Sequence, residues 1–191
     1  MRYHPDHKGK THRKIVRNAS RQLRAKGLNT PAVATVMKAA GLTHGGFYKH
    51  FKSRDDLVLE AVDESLQELR DRLITAAKER NPHDGWKAMV ETYLSLEMCD
   101  RSEDGCPIAA LAPDMARTRP AVKRRISSAI LKFRQELLPF MPGRNPDEKA
   151  ANFLAIFSSM VGAIAIARTM PDLAVRQRIL NTVQDGLLKS F

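Results

Sequence analysis

The chain has 191 residues, enough for one sizeable core or for a small domain joined to a larger one. An apolar share of 43% argues against disorder, and 10 Gly and 10 Pro among abundant Ala, Leu, Arg and Lys favour helices. The net charge of +11 sits in one place: residues 1–54 carry 13 Lys or Arg against Asp6 alone, and the remainder is nearly neutral. A basic segment of this kind points to phosphate binding more than to a solvated tail. Cys99 and Cys106 are too few for a disulfide-built secreted domain. The N-terminus has no apolar signal core. The longest nearly apolar run, Met160 to Ala167, is too short to span a bilayer. A cytoplasmic protein without a membrane partner is the expectation.

In chain order, residues 1–9 read as a basic arm able to reach phosphates or a minor groove, or equally as a frayed terminus. Thr11 is placed to cap a first helix to about Ala25, with Ile15, Ala19 and Leu23 as its apolar stripe and Gly27 as its stop. Thr30-Pro31 looks like a cap and first residue of a second helix, reaching about Ala40. Gly41 ends that helix, Leu42 anchors the turn, and Thr43 is a good cap for a third helix to His50. Phe47 and Phe51, four apart, share the inner face of this third helix. Its other face carries His44, Tyr48, Lys49 and His50. Gly45 and Gly46 cost a helix about 1 kcal/mol each relative to Ala. Close approach of the backbone to DNA explains two adjacent glycines better than packing on a neighbouring helix does. Two helices joined by a short turn, the second basic and aromatic, is the layout of a helix-turn-helix.

Ser53-Arg-Asp-Asp56 resembles a capping box opening a long fourth helix to about Arg80, with Val62, Leu66, Leu69 and Leu73 as its seam. Arg54 at that helix start opposes the dipole, which a nearby phosphate would offset. A fifth helix carries Trp86, Met89, Val90, Tyr93 and Leu94, and a sixth begins at Cys106-Pro107. Helices over about Ala121–Leu138, Asp147–Thr169 and Asp172–Ser190 complete an all-α chain of about nine helices. The eighth is apolar on too many faces for a monomer's surface: it is either a central core helix or a contact between copies.

The run Ala39-Ala-Gly-Leu-Thr-His-Gly-Gly-Phe-Tyr-Lys-His-Phe51, followed by Lys52-Ser-Arg-Asp-Asp-Leu57, resembles the DNA-binding domain of TetR/AcrR-family transcriptional regulators. The resemblance covers roughly the first 60 residues; beyond them it lies in length and helical pattern. It implies a three-helix DNA-binding domain over residues 1–54, with its motif at about 31–50, and an effector-binding and dimerisation domain over 55–191. Where many members place Ser or Thr to touch a phosphate, this chain has Pro31 and Ala32. The DNA contacts are expected from Thr43, His44, Gly45, Gly46, Tyr48, Lys49, His50 and Arg54. Across the two-fold axis of a homodimer, the last two helices would meet through Phe153, Ile156, Phe157, Met160, Ile164, Ile179 and Val183. Trp86, Met89, Tyr93, Met98 and Phe133 are candidates for a small-molecule effector pocket, with core packing as the competing reading. Cys106 sits at a helix N-terminus, where the dipole favours thiolate, and some similar members sense electrophiles or oxidants there. Its plain reading is a small buried hydrophobe.

No phosphate-binding loop, Gly-x-Ser-x-Gly turn, His-Glu-x-x-His pair or zinc spacing is present in the sequence, so no enzyme, cofactor or metal is expected. The functional expectation is a ligand-responsive repressor that binds a palindromic operator in double-stranded DNA as a dimer. The alternatives are a constitutive or protein-controlled repressor and, in another class, a small helical enzyme or an RNA or protein adaptor.

Overall fold

The computed structural model describes residues 5–28, 33–81 and 83–191. Among them are nine α-helices and three short 3-10 helices, with no strand. Helix α1 spans Pro5–Lys26, so it starts well before Thr11 and takes in most of the expected arm. Pro5 suits a first turn because it has no N–H to leave unpaired. Residues 1–4 of the arm, and the Thr30-Pro31 cap with Ala32, lie outside the described residues.

Ile15, Ala19 and Leu23 are buried, as the stripe predicts. They press α1 along α3, Arg54–Lys78. Polar rungs flank this seam: His12 to Glu60, Arg17 to Glu64, the Ser20 and Ser65 hydroxyls at 3.1 Å, and Arg24 to Glu68. Numbers rise together on both helices, so α1 and α3 run side by side in one direction. Ser53 caps α3: its hydroxyl oxygen accepts from the Asp56 backbone N–H and donates to the Asp56 carboxylate. The predicted seam Val62, Leu66, Leu69 and Leu73 is buried. Because α3 packs on α1 and, from its first turn onward, on later helices, it links the N-terminal helices to the rest of the chain.

The expected fifth helix is two: α4 over Gly85–Tyr93 and α5 over Leu96–Asp100, with Ser95 between them as the cap of α5. Helix α6, Pro107–Ala116, starts at Cys106, and α7 spans Pro120–Leu137. Helices α8 (Pro146–Ala167) and α9 (Leu173–Ser190) are capped by the side chains of Asn145 and Asp172. Phe157 sits at the centre of the larger core, in ring contact with Phe133, Phe153 and Tyr93.

Helix α1 and the turn after it are tied to later helices by specific contacts. The Arg24 guanidinium, wholly buried, donates to Glu68 at 2.8 Å and to the Gly105 carbonyl at 3.3 Å. Asp114 of α6 accepts the Leu28 N–H at 2.9 Å. It lies so close to Gly27, at φ 86°, that a Cβ there would meet its carboxylate at 2.8 Å. The turn after α1 therefore needs glycine on two counts.

Helix α8 corrects two expectations. At 22 residues and mean hydropathy 1.9 it is long and apolar enough to cross a bilayer, which the short run Met160–Ala167 does not suggest. Length and composition do not separate a span from a core helix, and Phe153, Ile156, Phe157, Met160 and Ile164 are built into the interior. For the same reason those five side chains are not the face α8 offers to another molecule. Its outer face is Leu154 and Ile166, more than half exposed, among Ala151, Ala155, Ser158, Ser159 and Ala165. On α9, Ile179 and Val183 are partly buried against the core, and Leu173 and Val175 are exposed. The 3.6-residue period decides the difference: Phe153, Ile156, Phe157, Met160 and Ile164 recur at helical spacing on the inward face, and the equally apolar Leu154 and Ile166, one or two positions away from members of that set, turn outward.

Candidate nucleic-acid interface

Helix α2, Val33–Ala39, buries Val36 and Met37 and hands the chain to a tight turn. Gly41 takes φ 78°, and the Leu42 N–H reaches back to the Met37 carbonyl at 2.9 Å. The third helix follows over His44–Lys49. It is a 3-10 helix, whereas the spacing of Phe47 and Phe51 predicts an α-helical turn. Two glycines weaken α propensity here, which lets six residues take the tighter 3-10 geometry. Thr43 has the extended backbone of a cap, but its side chain makes no capping bond among the described residues.

The inner anchors are as expected. Phe47 and Phe51 are buried and stack at 5.4 Å, with Tyr48 edge-on to Phe47 at 5.2 Å. This fixes the outer face. Thr43, His44, Gly45, Tyr48 and Lys49 are exposed, Tyr48 by 73%. Gly46 and His50 are half-buried beside them.

The glycines are informative. A Cβ added at Gly45 would meet no described atom within 4 Å, and one at Gly46 would meet only the Met37 side chain at an ordinary 3.5 Å. Neither has a positive φ. No described neighbour requires glycine at either position.

Arg54 differs from expectation. Its guanidinium is held by the Leu28 carbonyl, tying α3 to the turn after α1. The acids of the same helix start pair with α7 and the residue before it, Asp55 with Arg119 and Asp56 with Arg125. Bonds from Ser53 and then Arg125 hold the Asp56 carboxyl below the usual carboxylate range.

A cleft of about 530 Å³ opens between α1 and the third helix, lined by Lys8, Thr11, Leu42, Thr43, Gly46, Lys49 and His50. The contribution of α1 was not legible in sequence, where residues 1–9 read as an arm; a helix started at Pro5 would have put Lys8 and Thr11 on one face. A second cleft along α1 gathers Lys10, Arg13, Lys14, Arg17 and Arg21 with Arg101. Its lower half is neutralised, since Arg17 pairs with Glu64, and Arg21 with Glu103 and Asp104.

The expected effector residues Trp86, Met89, Tyr93, Met98 and Phe133 are all buried. Trp86 and Met89 border a gap of only about 10 Å³, with Leu73, Met141, Phe153 and Ile156 among its other walls. That holds at most a water, so the five are packed as core in this conformation. Cys106 is wholly buried and accepts from the Ala109 N–H at 3.5 Å. Burial pushes its thiol pKa up, despite the Tyr93 hydroxyl beside it, so desolvation outweighs the helix end that was expected to favour thiolate.

Residues 15–61 match the family model described as bacterial regulatory proteins, tetR family. Over nearly the whole chain the fold is shared with solved structures. A TetR transcriptional regulator from Chloroflexus aurantiacus J-10-fl superposes with a TM-score of 0.77 at 23% identity, over 96% of this chain and 95% of that one. A TetR-family regulator from Cytophaga hutchinsonii gives 0.77 at 18% identity, over 98% of both. The regulator FadR from Bacillus subtilis, solved with stearoyl-CoA, gives 0.70 at 15% identity, over 94% of this chain and 98% of that one.

Proposed function

We propose that this chain is a transcriptional regulator of the TetR family that acts in the cytoplasm as a repressor, binding a palindromic operator in duplex DNA as a homodimer. The division into a DNA-binding part, residues 1–54, and an effector and dimerisation part, residues 55–191, belongs to this proposal. The observation that carries it is the exposed outer face of the third helix, with two glycines that no described neighbour requires. Thr43 and His44 are assigned to base edges, and Tyr48, Lys49 and His50 to phosphates. The Arg54 guanidinium gives one N–H to the Leu28 carbonyl and has other donors for a phosphate.

A second copy is assigned to the outer face of α8 and α9, where Leu154, Ile166, Leu173 and Val175 are exposed among small side chains. Pairing through a two-fold axis would set two reading helices at half-sites one helical turn, or a multiple, apart. Selection of bound sequences from a random duplex pool tests this reading: a palindrome is expected, and sequence-blind retention would overturn it.

Control by a small molecule is supported by the stearoyl-CoA held in the structurally similar FadR. An effector here must favour a conformation in which the core around Trp86 and Met89 is more open than in this one. The closed interior is also the observation that favours the second reading, a repressor that is constitutive or controlled by a protein partner. A ligand of the native state raises the melting temperature, so a thermal-shift screen separates the two.

A further inference from the structure

His50 is an expected DNA contact that sits where α1 meets the third helix. On its own helix it follows Lys49 and precedes Phe51. From α1 it faces Lys8 and the His12 ring, whose centroid is 5.8 Å away. His12 in turn stacks on Phe51 at 4.7 Å and is bonded at 2.5 Å to Glu60 of α3. The Nδ1 of His50 is buried and has no hydrogen-bond partner among the described residues. Lys8, Lys49 and His50 all line the one cleft between α1 and the third helix. This imidazole is set among two ammonium groups and a second imidazole, no carboxylate lines the cleft among the described residues, and Glu60 is bonded to His12, so the surroundings suit an added anion.

We propose that this cleft is a proton-linked phosphate site: a DNA backbone phosphate seated between Lys8, Lys49 and His50 draws a proton onto the His50 ring. The proposal rests on the DNA-binding reading and adds to it a ligand from α1, Lys8, and a dependence on pH.

The sign follows from the charges. In the free protein, burial first, then His12, Lys8 and Lys49, lower the pKa of His50 from its ordinary value. The neutral ring therefore predominates at neutral pH. A phosphate beside it adds an opposite charge and raises that pKa. Between the free and bound values, binding takes up a proton, and affinity falls as pH rises. Below the free value the ring is charged in both states, and above the bound value in neither, so the dependence flattens on both sides. The limiting slope is about one proton, or tenfold in affinity per pH unit, for each half-site.

The test is the affinity for a selected operator duplex, by fluorescence anisotropy at constant ionic strength from about pH 5.5 to 8. Calorimetry in two buffers of different ionisation enthalpy counts the protons. Wild type is expected to take up protons and to bind more weakly as pH rises. His50→Gln should abolish the uptake while keeping helical content. Lys8→Ala, an exposed change that spares the fold, should weaken binding and move the titration to higher pH, because one repelling charge is gone. Sequence-specific binding with no pH dependence, or uptake that survives His50→Gln, would overturn the proposal and leave the regulator reading standing. Absence of sequence preference at every pH would remove that reading, and this site with it.

Discussion

Gly45→Ala is the substitution in which folding and DNA reading pull in opposite directions. The backbone at Gly45 has no positive φ, and a methyl there meets no described atom within 4 Å. The folded state loses nothing, while the unfolded chain loses freedom, so stability should rise by about 0.4–1 kcal/mol. For 191 residues the entropy of unfolding is about 0.4 kcal/mol per degree, so the melting temperature should rise by about 1–2.5 °C. If the glycine is there to let the backbone approach DNA, the same methyl overpacks the contact at a cost of about 1–3 kcal/mol. Operator affinity should then fall by about 5- to 150-fold. The assay pairs a thermal melt with anisotropy titration of the operator. A variant that is stabilised and binds as tightly as wild type would refute the reasoning, because close approach would no longer account for the glycine.

Lys49→Ala should weaken binding to all duplexes and reduce the slope of log affinity against log salt by about 1 per half-site, measured from about 50 to 200 mM salt. Leu154→Glu, on the outer face of α8, should yield a folded monomer by sedimentation velocity. Ile156→Ala, two residues on and buried, should leave assembly intact but cost about 2–5 kcal/mol in denaturant unfolding. Cys106 is buried with its thiolate disfavoured, so alkylation of the native protein should be slow and should speed up in denaturant; fast native alkylation would contradict the packing.

What sequence alone determined is local. The order of helices, the stops at Gly27 and Gly41, the cap at Ser53, and the inward pair Phe47 and Phe51 were legible because each depends on residues within a few positions of one another. The outward set of the third helix followed from that pair, since fixing one face of a short helix fixes the other. Tertiary structure decided what depends on distant residues. Helix α8 is apolar nearly all round, so only its packing on the core could tell that Phe153 and Ile156 turn inward and Leu154 outward. Arg54 looks free at a helix start until the fold brings the Leu28 carbonyl to it. Cys106 has the helix end that favours thiolate, yet its complete burial reverses the outcome. Lys8 and His12 are forty residues from His50 in sequence and join it only because α1 lies along α3, which sets their side chains against the third helix. A side chain's period is written in its neighbours along the chain, but its partner and its exposure depend on which helices the core holds together.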